Sequence, residues 1–451
     1  MHPFHHAANQ PDTPAIIMAG SGETLSYAQL EGESNRIAHL LRGLGLARGD
    51  TIAILMHNEI DFLPICWAAQ RSGLVYVAMS TKLTADEAGY IAQDSGAKAI
   101  FCSPALAEVA VAATPMLSPA ARLCSGGGAP GCTRLHDAIA GLPTTRIADE
   151  SAGRDMLYSS GTTGRPKGVR GPLPEGPIDQ VDALTGMVAM LYQFGPGMKY
   201  LSPAPLYHAA PLRYCMSVHK FGGTVVVMEK FDPETYLALV EKYRITHSQL
   251  VPTMFVRMLK LPEDVRTKHD LSSLKVAIHA AAPCPVDVKH AMIAWWGPVI
   301  YEYYSATEGA GFTAISPQEW LERPGSVGKS ILGEIRILDD EGNRLGPNQV
   351  GQIFFHGGSS FSYHNDPEKT ASVMTEHGAT FGDIGRVDEE GYLFLTDRQA
   401  FMIISGGVNI YPQEAENTLI SHPEVADVAV FGIPDEVMGE AVHAVVQPRD
   451  M

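Results

Sequence analysis

Short, almost entirely apolar runs alternate with helix-forming segments through the first part of the chain. The runs "TIAILM" (51–56), "LVYVAM" (74–79) and "AIFC" (99–102) have strand length and are rich in β-branched or aromatic residues. Between such runs apolar residues recur at helical spacing, and Ser26 stands three residues before Gln29, the pattern of a helix capping box. Strands that are apolar on both faces and separated by helices predict a parallel sheet with helices on both sides.

The alternation of apolar strands and helices continues further along the chain and then gives way to a different pattern. The run "GGTVVVM" (222–228) reads as another buried strand, whereas from about residue 331 the pattern is strand, turn, strand. Beyond residue 398 a helix and two strands are expected. We therefore predict an α/β fold whose large N-terminal domain, 1–398, has parallel and mixed βαβ sheets and a β subdomain at about 331–398. A small α+β C-terminal domain is expected at 399–451.

Composition excludes several classes of protein. The formal net charge of −17 argues against binding to nucleic acid or to an anionic membrane as the main activity. Six cysteines without a Cys-x-x-Cys pair favour a reduced, cytoplasmic protein. We expect neither a signal peptide nor a membrane span. We interpret the three N-terminal histidines, His2, His5 and His6, as part of a solvated arm rather than a metal site.

The twelve residues "YSSGTTGRPKGV" (158–169) combine glycines, hydroxyls and two cations directly after a short apolar stretch. Glycines allow close approach of the backbone, and hydroxyl and cationic side chains suit the grip of a polyphosphate. The order Gly164-Arg-Pro-Lys167-Gly168 does not fit the GxxxxGK[ST] pattern of a P-loop. A flexible exposed loop is the alternative on composition alone.

Further motifs follow in order along the chain: "PLYHAAP" (205–211), "AAAPCP" (280–285), "YYSATEG" (303–309), "GDIGRVDEEGYLFLTDR" (382–398) and "MIISGGVNIYPQEAE" (402–416). Together with the run at 158–169 they resemble the motifs of the adenylate-forming superfamily, which comprises acyl-CoA synthetases, peptide-synthetase adenylation domains and luciferases. The resemblance covers essentially the whole chain.

The resemblance implies sites for ATP, Mg²⁺ and CoA. The ATP phosphates would be held by Ser159, Ser160, Gly161, Thr162, Thr163, Gly164 and Lys167. The adenosine would contact Ala281, Ala282, Tyr304, Thr307, Asp383 and Arg398. Glu308 and Thr163 would hold Mg²⁺, and the catalytic residues would be Lys167, Thr163, His208 and Glu308. The pantetheine arm of CoA would pass Gly406 and Gly407.

Some of these residues have alternative interpretations. Asp383 fits a plain turn residue, His208 a core histidine and Glu308 a solvated carboxylate. We interpret Trp295 and Trp296 as packing residues.

The activity implied is the conversion of a carboxylic acid and ATP to an acyl-adenylate and pyrophosphate, followed by transfer of the acyl group to CoA with release of AMP. The stretch after "PLYH" lacks the acidic residue that amino-acid-activating relatives use, which favours a plain fatty or aryl acid. We expect the acyl chain to be lined by Met216, Ala209, Ala210, Val251 and Met254. Arg213 is interpreted as solvated, with a contact to a dicarboxylate as the alternative.

Other functions remain open at this point. They are transfer to a carrier protein, a luciferase-like oxygenase, and an impaired acyl- or nucleotide-binding protein; a homodimer is also open. Two departures from the family matter: Ala400 occupies the hinge position, and no lysine follows Lys369, although the family's C-terminal domain carries a late catalytic lysine. We therefore expect an incomplete C-terminal domain and weakened adenylation.

Overall fold

The structure is a computed structural model that describes residues 1–159, 165–398, 401–405, 408–435 and 438–449. The chain forms two compact units. The first comprises 1–231, 242–248 and 361–367, and the second comprises 232–241, 249–360 and 368–451. Within the described ranges, no helix is both long and apolar enough to cross a membrane.

The helices are short to medium in length: α1 (Pro3–Asn9), α2 (Tyr27–Gly43), α3 (Phe62–Arg71), α4 (Ala85–Asp94), α5 (Ala107–Ala113), α6 (Leu135–Ile139), α7 (Ala183–Tyr192), α8 (Ala209–Lys220), α9 (Pro233–Tyr243), α10 (Pro252–Leu259), α11 (Glu263–Arg266), α12 (Val286–Trp296), α13 (Pro317–Glu322), α14 (Pro367–Val373) and α15 (Pro412–Ile420).

The strands are β1 (Pro14–Met18), β2 (Thr24–Ser26), β3 (Thr51–Leu55), β4 (Val75–Ala78), β5 (Ala97–Cys102), β6 (Arg122–Cys124), β7 (Thr133–Arg134), β8 (Arg154–Asp155), β9 (Leu157–Ser159), β10 (Lys167–Arg170), β11 (Lys199–Ser202), β12 (Thr224–Val227), β13 (His247–Leu250), β14 (Val276–His279), β15 (Ile300–Ser305), β16 (Phe312–Ile315), β17 (Ser326–Leu332), β18 (Glu334–Leu338), β19 (Gly351–His356), β20 (Ser362–Tyr363), β21 (Met374–Thr375), β22 (Gly378–Val387), β23 (Leu393–Arg398), β24 (Ile403–Ser405), β25 (Val408–Ile410), β26 (Val425–Asp435) and β27 (Gly439–Pro448).

The first unit contains the parallel sheet predicted from the apolar runs. Its strand order is β7-β6-β5-β3-β4-β8, and every neighbouring pair is parallel. All five residues of β3 are buried, as expected for a strand with helices on both sides. A second group of strands in this unit pairs β11, β12 and β1 in parallel, with β2 antiparallel to β1. A third group, β20-β10-β9, is antiparallel.

The helix starts follow the local sequence. Ser26 accepts a hydrogen bond from the backbone N–H of Gln29 at 3.3 Å, and the Gln29 side chain accepts one from the Ser26 N–H at 2.8 Å. Thr84 and Glu87 form the same reciprocal arrangement before α4. Each box satisfies two backbone donors that the first helical turn leaves unpaired.

The second unit starts with the parallel pair β14–β15 and continues antiparallel through β16, β17, β23, β22, β19 and β18. The predicted turn between β18 and β19 is present, because the Asp339 carboxylate accepts from the N–H groups of Glu341 and Asn343 and Gly342 has a φ of +83°. This region has the β-rich character expected of a subdomain. The boundary at residue 398 stays a prediction.

The last part of the second unit is a four-stranded antiparallel sheet, β25-β24-β27-β26, with α15 beside it. The two strands predicted near the end of the sequence pair with each other, for example Val428 with Val446. Pro412 opens α15, the position where its missing N–H costs nothing.

The prediction of a solvated N-terminal arm is wrong. Residues 3–9 form α1, and the His2 side chain is buried in the first unit, 3.2 Å from the Gln70 side-chain oxygen and edge-on to Trp67. His6 Nε2 lies 2.9 Å from the Lys220 carbonyl oxygen. The imidazoles pack and form hydrogen bonds within the fold, a use of histidine that the sequence pattern alone does not reveal.

Candidate active site

The candidate phosphate loop is carried by an antiparallel hairpin of the first unit. Lys167 at the start of β10 pairs with Ser159 at the end of β9, and Gly168 pairs with Tyr158. A side chain at Gly168 would bring a Cβ to 3.0 Å from the Tyr158 ring, so glycine permits the close pairing. The two ends of the loop therefore stand opposite each other.

Lys167 has a partner that the motif did not predict. Its ammonium group forms an ion pair with the carboxylate of Asp366, just after β20, and both side chains are half-buried. The segment that carries Asp366 is held against the hairpin, because the His364 N–H donates a hydrogen bond to the Gly168 carbonyl oxygen at 2.7 Å. The sequence marks this segment only as a turn, through Asn365, Asp366 and the following proline.

A concave surface of about 290 Å³ lies beside the hairpin and is lined by Tyr90, Asp94, Arg165, Lys167, His364, Asn365 and Asp366. The Tyr158 hydroxyl donates to Asp94 at 2.6 Å, and burial together with this bond raises the Tyr158 pKa. The Arg165 guanidinium lies 5.1 Å from the centre of the Tyr90 ring. The carboxylates of Asp94 and Asp366 line this surface together with the cations Arg165 and Lys167. Arg165 and Lys167 are its positive charges.

His208 immediately precedes α8 and its side chain is exposed, 4.5 Å from the Tyr207 ring. The interpretation as a satisfied core histidine is therefore wrong. Desolvation by the surrounding protein lowers the His208 pKa, and the charge of Lys82 lowers it further. The imidazole is thus mainly neutral at pH 7, with one nitrogen able to donate and the other to accept.

The buried side of α8 carries the next predicted residue. Met216 is buried, with its sulfur 3.4 Å from the Tyr76 hydroxyl. One turn away Arg213 donates to Asp155 at 2.7 and 3.0 Å. Burial opposes ionisation of Asp155, but Arg213 outweighs it and lowers the Asp155 pKa. The interpretation of Arg213 as a solvated side chain is wrong, because the side chain is half-buried and engaged by a carboxylate.

The other predicted lining residues are divided between the units. Ala209 and Ala210 are half-buried in the first turn of α8 in the first unit. Val251 and Met254 belong to the second unit, where Met254 is buried in α10.

In the second unit Tyr304 and Asp383 meet. The Tyr304 hydroxyl on β15 donates to the Asp383 carboxylate on β22 at 2.5 Å, and the Tyr304 ring packs 6.1 Å from that of Phe355. Asp383 is buried inside a ten-residue strand, so the alternative of a plain turn residue is wrong. Its partner in the ladder is the backbone of Arg398.

Two loops leave the same edge of the second unit's sheet. β14 and β15 are parallel neighbours, with His279 opposite Glu302. Ala281 and Ala282 follow β14 and are exposed, and Ala281 has the left-handed φ of +76°. Thr307 and the half-buried Glu308 lie in the turn after β15. In α/β sheets, ligands bind at this carboxyl edge of parallel strands.

Several predicted residues lie outside the described part of the chain. They are Ser160, Gly161, Thr162, Thr163 and Gly164 of the loop, Gly406 and Gly407 of the expected CoA channel, and the hinge residue Ala400. For Arg398 the backbone alone is described.

Comparison with known proteins identifies the family. The model of the AMP-binding enzyme family matches residues 3–363, and that of the AMP-binding enzyme C-terminal domain matches residues 414–451. The chain therefore belongs to the AMP-binding enzyme family. The class predicted from the motifs, an adenylate-forming ligase with an α/β fold, is confirmed.

The names of similar proteins specify different acid substrates and different acyl acceptors. The chain is 32% identical over 471 residues to a fatty acid–[acyl-carrier-protein] ligase, ScoC, of Streptomyces coeruleorubidus, covering 99% of this chain and 87% of that protein. It is 30% identical over 446 residues to the long-chain-fatty-acid–CoA ligase FadD13 of Mycobacterium tuberculosis, covering 98% and 86%. A feruloyl-CoA synthase of Amycolatopsis is 33% identical, covering 99% and 88%.

Solved structures agree with this classification. ATP-bound MatB from Rhodopseudomonas palustris has a TM-score of 0.81 and 30% identity, covering 99% of this chain and 88% of that one. The amide bond synthetase McbA from Marinactinospora thermotolerans has a TM-score of 0.82 and 27% identity, covering 99% and 89%.

Proposed function

We propose that this protein activates a fatty or aryl carboxylic acid with ATP and transfers the acyl group to CoA, giving acyl-CoA, AMP and pyrophosphate. The observation that carries the proposal is the Tyr304–Asp383 pair. A buried carboxylate accepts hydrogen bonds through both of its oxygens, Asp383 accepts one from the Tyr304 hydroxyl, and this chemistry suits the paired hydroxyls of a ribose.

The nucleotide would bind through residues of several of the sequence motifs. Asp383 would accept from the ribose hydroxyls with Arg398 assisting, and the adenine would lie against Ala281, Ala282, Tyr304 and Thr307. The phosphates would be held by Ser159, Ser160, Gly161, Thr162, Thr163, Gly164 and Lys167.

A Mg²⁺ ion fits the proposed site if Glu308 and Thr163 supply part of its coordination shell and phosphate oxygens supply the rest. Among the described residues no group of three or more His, Cys, Asp or Glu side chains is arranged to hold a metal. Glu308 and Thr163 would therefore each supply one oxygen, in keeping with the preference of Mg²⁺ for phosphate and a few carboxylates. When bound, the ion would offset phosphate charge during adenylation.

Adenylation joins two anions, so positioning and charge neutralisation are the main tasks. A carboxylate oxygen attacks the α-phosphorus and the bond to pyrophosphate breaks. Lys167 would stabilise the phosphate charge, and the neutral imidazole of His208 would orient the carboxylate. The thiol of CoA, entering past Gly406 and Gly407, then attacks the acyl carbonyl, and AMP leaves.

A monocarboxylic acid is favoured over a dicarboxylic acid. Arg213, the candidate partner for a second carboxylate on α8, is already bound by Asp155 at 2.7 Å. The buried Met216 beside Tyr76 offers an apolar, slightly polarisable surface, which suits an aliphatic or aromatic chain.

A carrier-protein thiol is the second candidate acceptor, and the similarity to the acyl-carrier-protein ligase supports it. We place the protein in the reducing cytoplasm, because all six cysteines are free. A homodimer stays a prediction.

The test is a panel of fatty, aryl and dicarboxylic acids incubated with ATP, Mg²⁺ and either CoA or a phosphopantetheinylated carrier protein. Mass spectrometry should detect AMP together with the acyl-CoA of at least one monocarboxylic acid. Absence of AMP with every acid would overturn the proposal, and acylation of the carrier alone would select the second acceptor.

A further inference from the structure

Three charged or titratable side chains are buried together directly beneath the loop at 280–285. His279 is the last residue of β14, before the loop, and Lys289 lies in the first turns of α12, after the loop. Glu302 comes from β15 and is the ladder partner of His279. The Glu302 carboxylate thus lies beside the residues that flank both ends of the loop, and it is ion-paired with Lys289.

The contacts are short and excluded from water. The Lys289 ammonium lies 2.5 Å from Glu302 Oε2, and His279 Nε2 lies 3.3 Å from the same oxygen. Lys289 and His279 are fully buried and Glu302 is 6% exposed. The Lys289 nitrogen also lies 4.6 Å from the centre of the Trp320 ring.

The group carries one negative charge on Glu302. Burial alone would raise the Glu302 pKa, whereas the charge and hydrogen bond of Lys289 lower it, and the Glu302 pKa is lowered on balance. Burial lowers the His279 pKa, which leaves that imidazole neutral. Lys289 is therefore the cation that matches Glu302.

A buried ion pair is a poor source of stability, since apolar residues of similar volume do as well or better, whereas loss of one partner is costly. Such a pair therefore calls for another explanation. The loop above it holds Ala281 at a φ of +76°, a strained conformation that persists only where the surroundings enforce it. Two residues beyond Glu302, Tyr304 holds Asp383.

We propose that Lys289 and Glu302 are positioning residues for adenine recognition. Their ion pair holds the loop at 280–285 in its strained form and in register with Tyr304. The inference rests on the proposed nucleotide site and deepens it, since it assigns the selectivity for the base to a buried pair that touches no ligand.

The test compares single and double replacements. Lys289→Met leaves the Glu302 carboxylate unpaired, and Tm is expected to fall by roughly 10 °C. The double variant Lys289→Met/Glu302→Gln removes both charges and should recover most of that loss. Its Kd for AMP, measured by calorimetry, should nevertheless stay raised by roughly tenfold. Its Kd for GMP should not change, so the preference for AMP over GMP shrinks.

The matched control is the ion pair Arg71–Glu31 of the first unit, whose nearest atoms are 2.5 Å apart and whose arginine is fully buried. Arg71→Met/Glu31→Gln should leave the preference for AMP unchanged. Full recovery of AMP affinity in the Lys289→Met/Glu302→Gln variant would overturn the inference.

Two further outcomes separate this inference from the proposed function. A wild-type protein that binds AMP but forms no acyl-adenylate would refute the proposed function and leave the positioning test valid. A wild-type protein that binds no AMP would refute both.

Discussion

The phosphate hairpin, β9–β10, and the nucleoside strands, β14, β15 and β22, position their polar groups in different ways. Lys167 sits on a short strand, half-buried, and its charge is met by a side chain from a distant segment, Asp366. Asp383 is buried in a ten-residue strand and accepts a hydrogen bond from Tyr304 of β15 in the same unit.

The difference matches the chemistry that each region is proposed to serve. The ribose is the same in ATP, acyl-adenylate and AMP, so a fixed acceptor serves every step. The phosphates change and depart, so a lysine with an alternative partner suits that region. We therefore expect substitutions in the hairpin to slow acyl-adenylate formation. Substitutions in the nucleoside strands should weaken the binding of ATP, acyl-adenylate and AMP alike.

The largest effect is expected from Lys167→Met, which removes the charge and keeps most of the volume. Acyl-adenylate formation should fall by roughly 100- to 1,000-fold, the usual cost of losing one donor that stabilises developing charge. AMP affinity should stay close to that of the unaltered chain, because AMP lacks the β- and γ-phosphates. Lys230→Met, at an exposed lysine, is the matched control, and equal losses in both variants would contradict the assignment.

Asp383→Asn should produce the complementary result. Loss of a charged acceptor costs about 1.5–3 kcal/mol, so the Kd for AMP should rise by roughly 10- to 100-fold. The exposed Asp427→Asn is the control. Calorimetric titration with AMP checks the prediction; an unchanged Kd would mean that Asp383 does not meet the ribose.

Protonation should weaken the first unit from within its core. His219 is buried, with Nδ1 accepting from the Trp67 indole at 3.0 Å and Nε2 at 3.0 Å from the Ala15 carbonyl oxygen. Burial lowers the His219 pKa from 6.5 to about 4. A proton on Nδ1 would face the indole N–H, so the neutral form belongs to the folded state.

Because the folded pKa lies below the unfolded one, this stabilisation is complete above pH 6.5 and is lost as the pH falls towards 4. By pH 5 the loss from His219 should be about 2 kcal/mol. Urea unfolding at pH 7.5 and pH 5 would show it as a larger decrease in the wild type than in His219→Gln. Equal decreases would contradict the prediction.

The smallest effect concerns Ala281. Its left-handed φ strains an alanine, and glycine would relieve the strain at some cost in chain entropy. Ala281→Gly should therefore raise stability by about 0.5–1 kcal/mol. Ala282→Gly is the control, since its φ is not positive and it should lose stability instead. Thermal unfolding of the two variants would decide the sign.

The sequence predicted most of the fold because local and periodic signals coincided. The apolar run at 51–56 forms the fully buried β3, and the capping box at Ser26 begins α2 as expected. The order of the motifs also led to the family. These features depend on neighbours along the chain, which a sequence displays directly.

The partners of the site residues were not predictable in this way. Asp366 meets Lys167 across 199 positions, and Asp155 meets Arg213 across 58. Lys289 and Glu302 are only 13 positions apart, yet their pairing depends on how α12 packs on β15. Burial of His2 likewise depends on a surface formed by residues far along the chain, such as Gln70.

The most direct test of the account follows the oxygen atoms of the acid. An acid that the panel identifies as a substrate is labelled with heavy oxygen in its carboxylate and incubated with ATP, Mg²⁺ and CoA, and the AMP is analysed by mass spectrometry. Attack of the carboxylate on the α-phosphorus predicts one heavy oxygen in each AMP released. Unlabelled AMP together with acyl-CoA would show that no acyl-adenylate was formed and would contradict the account.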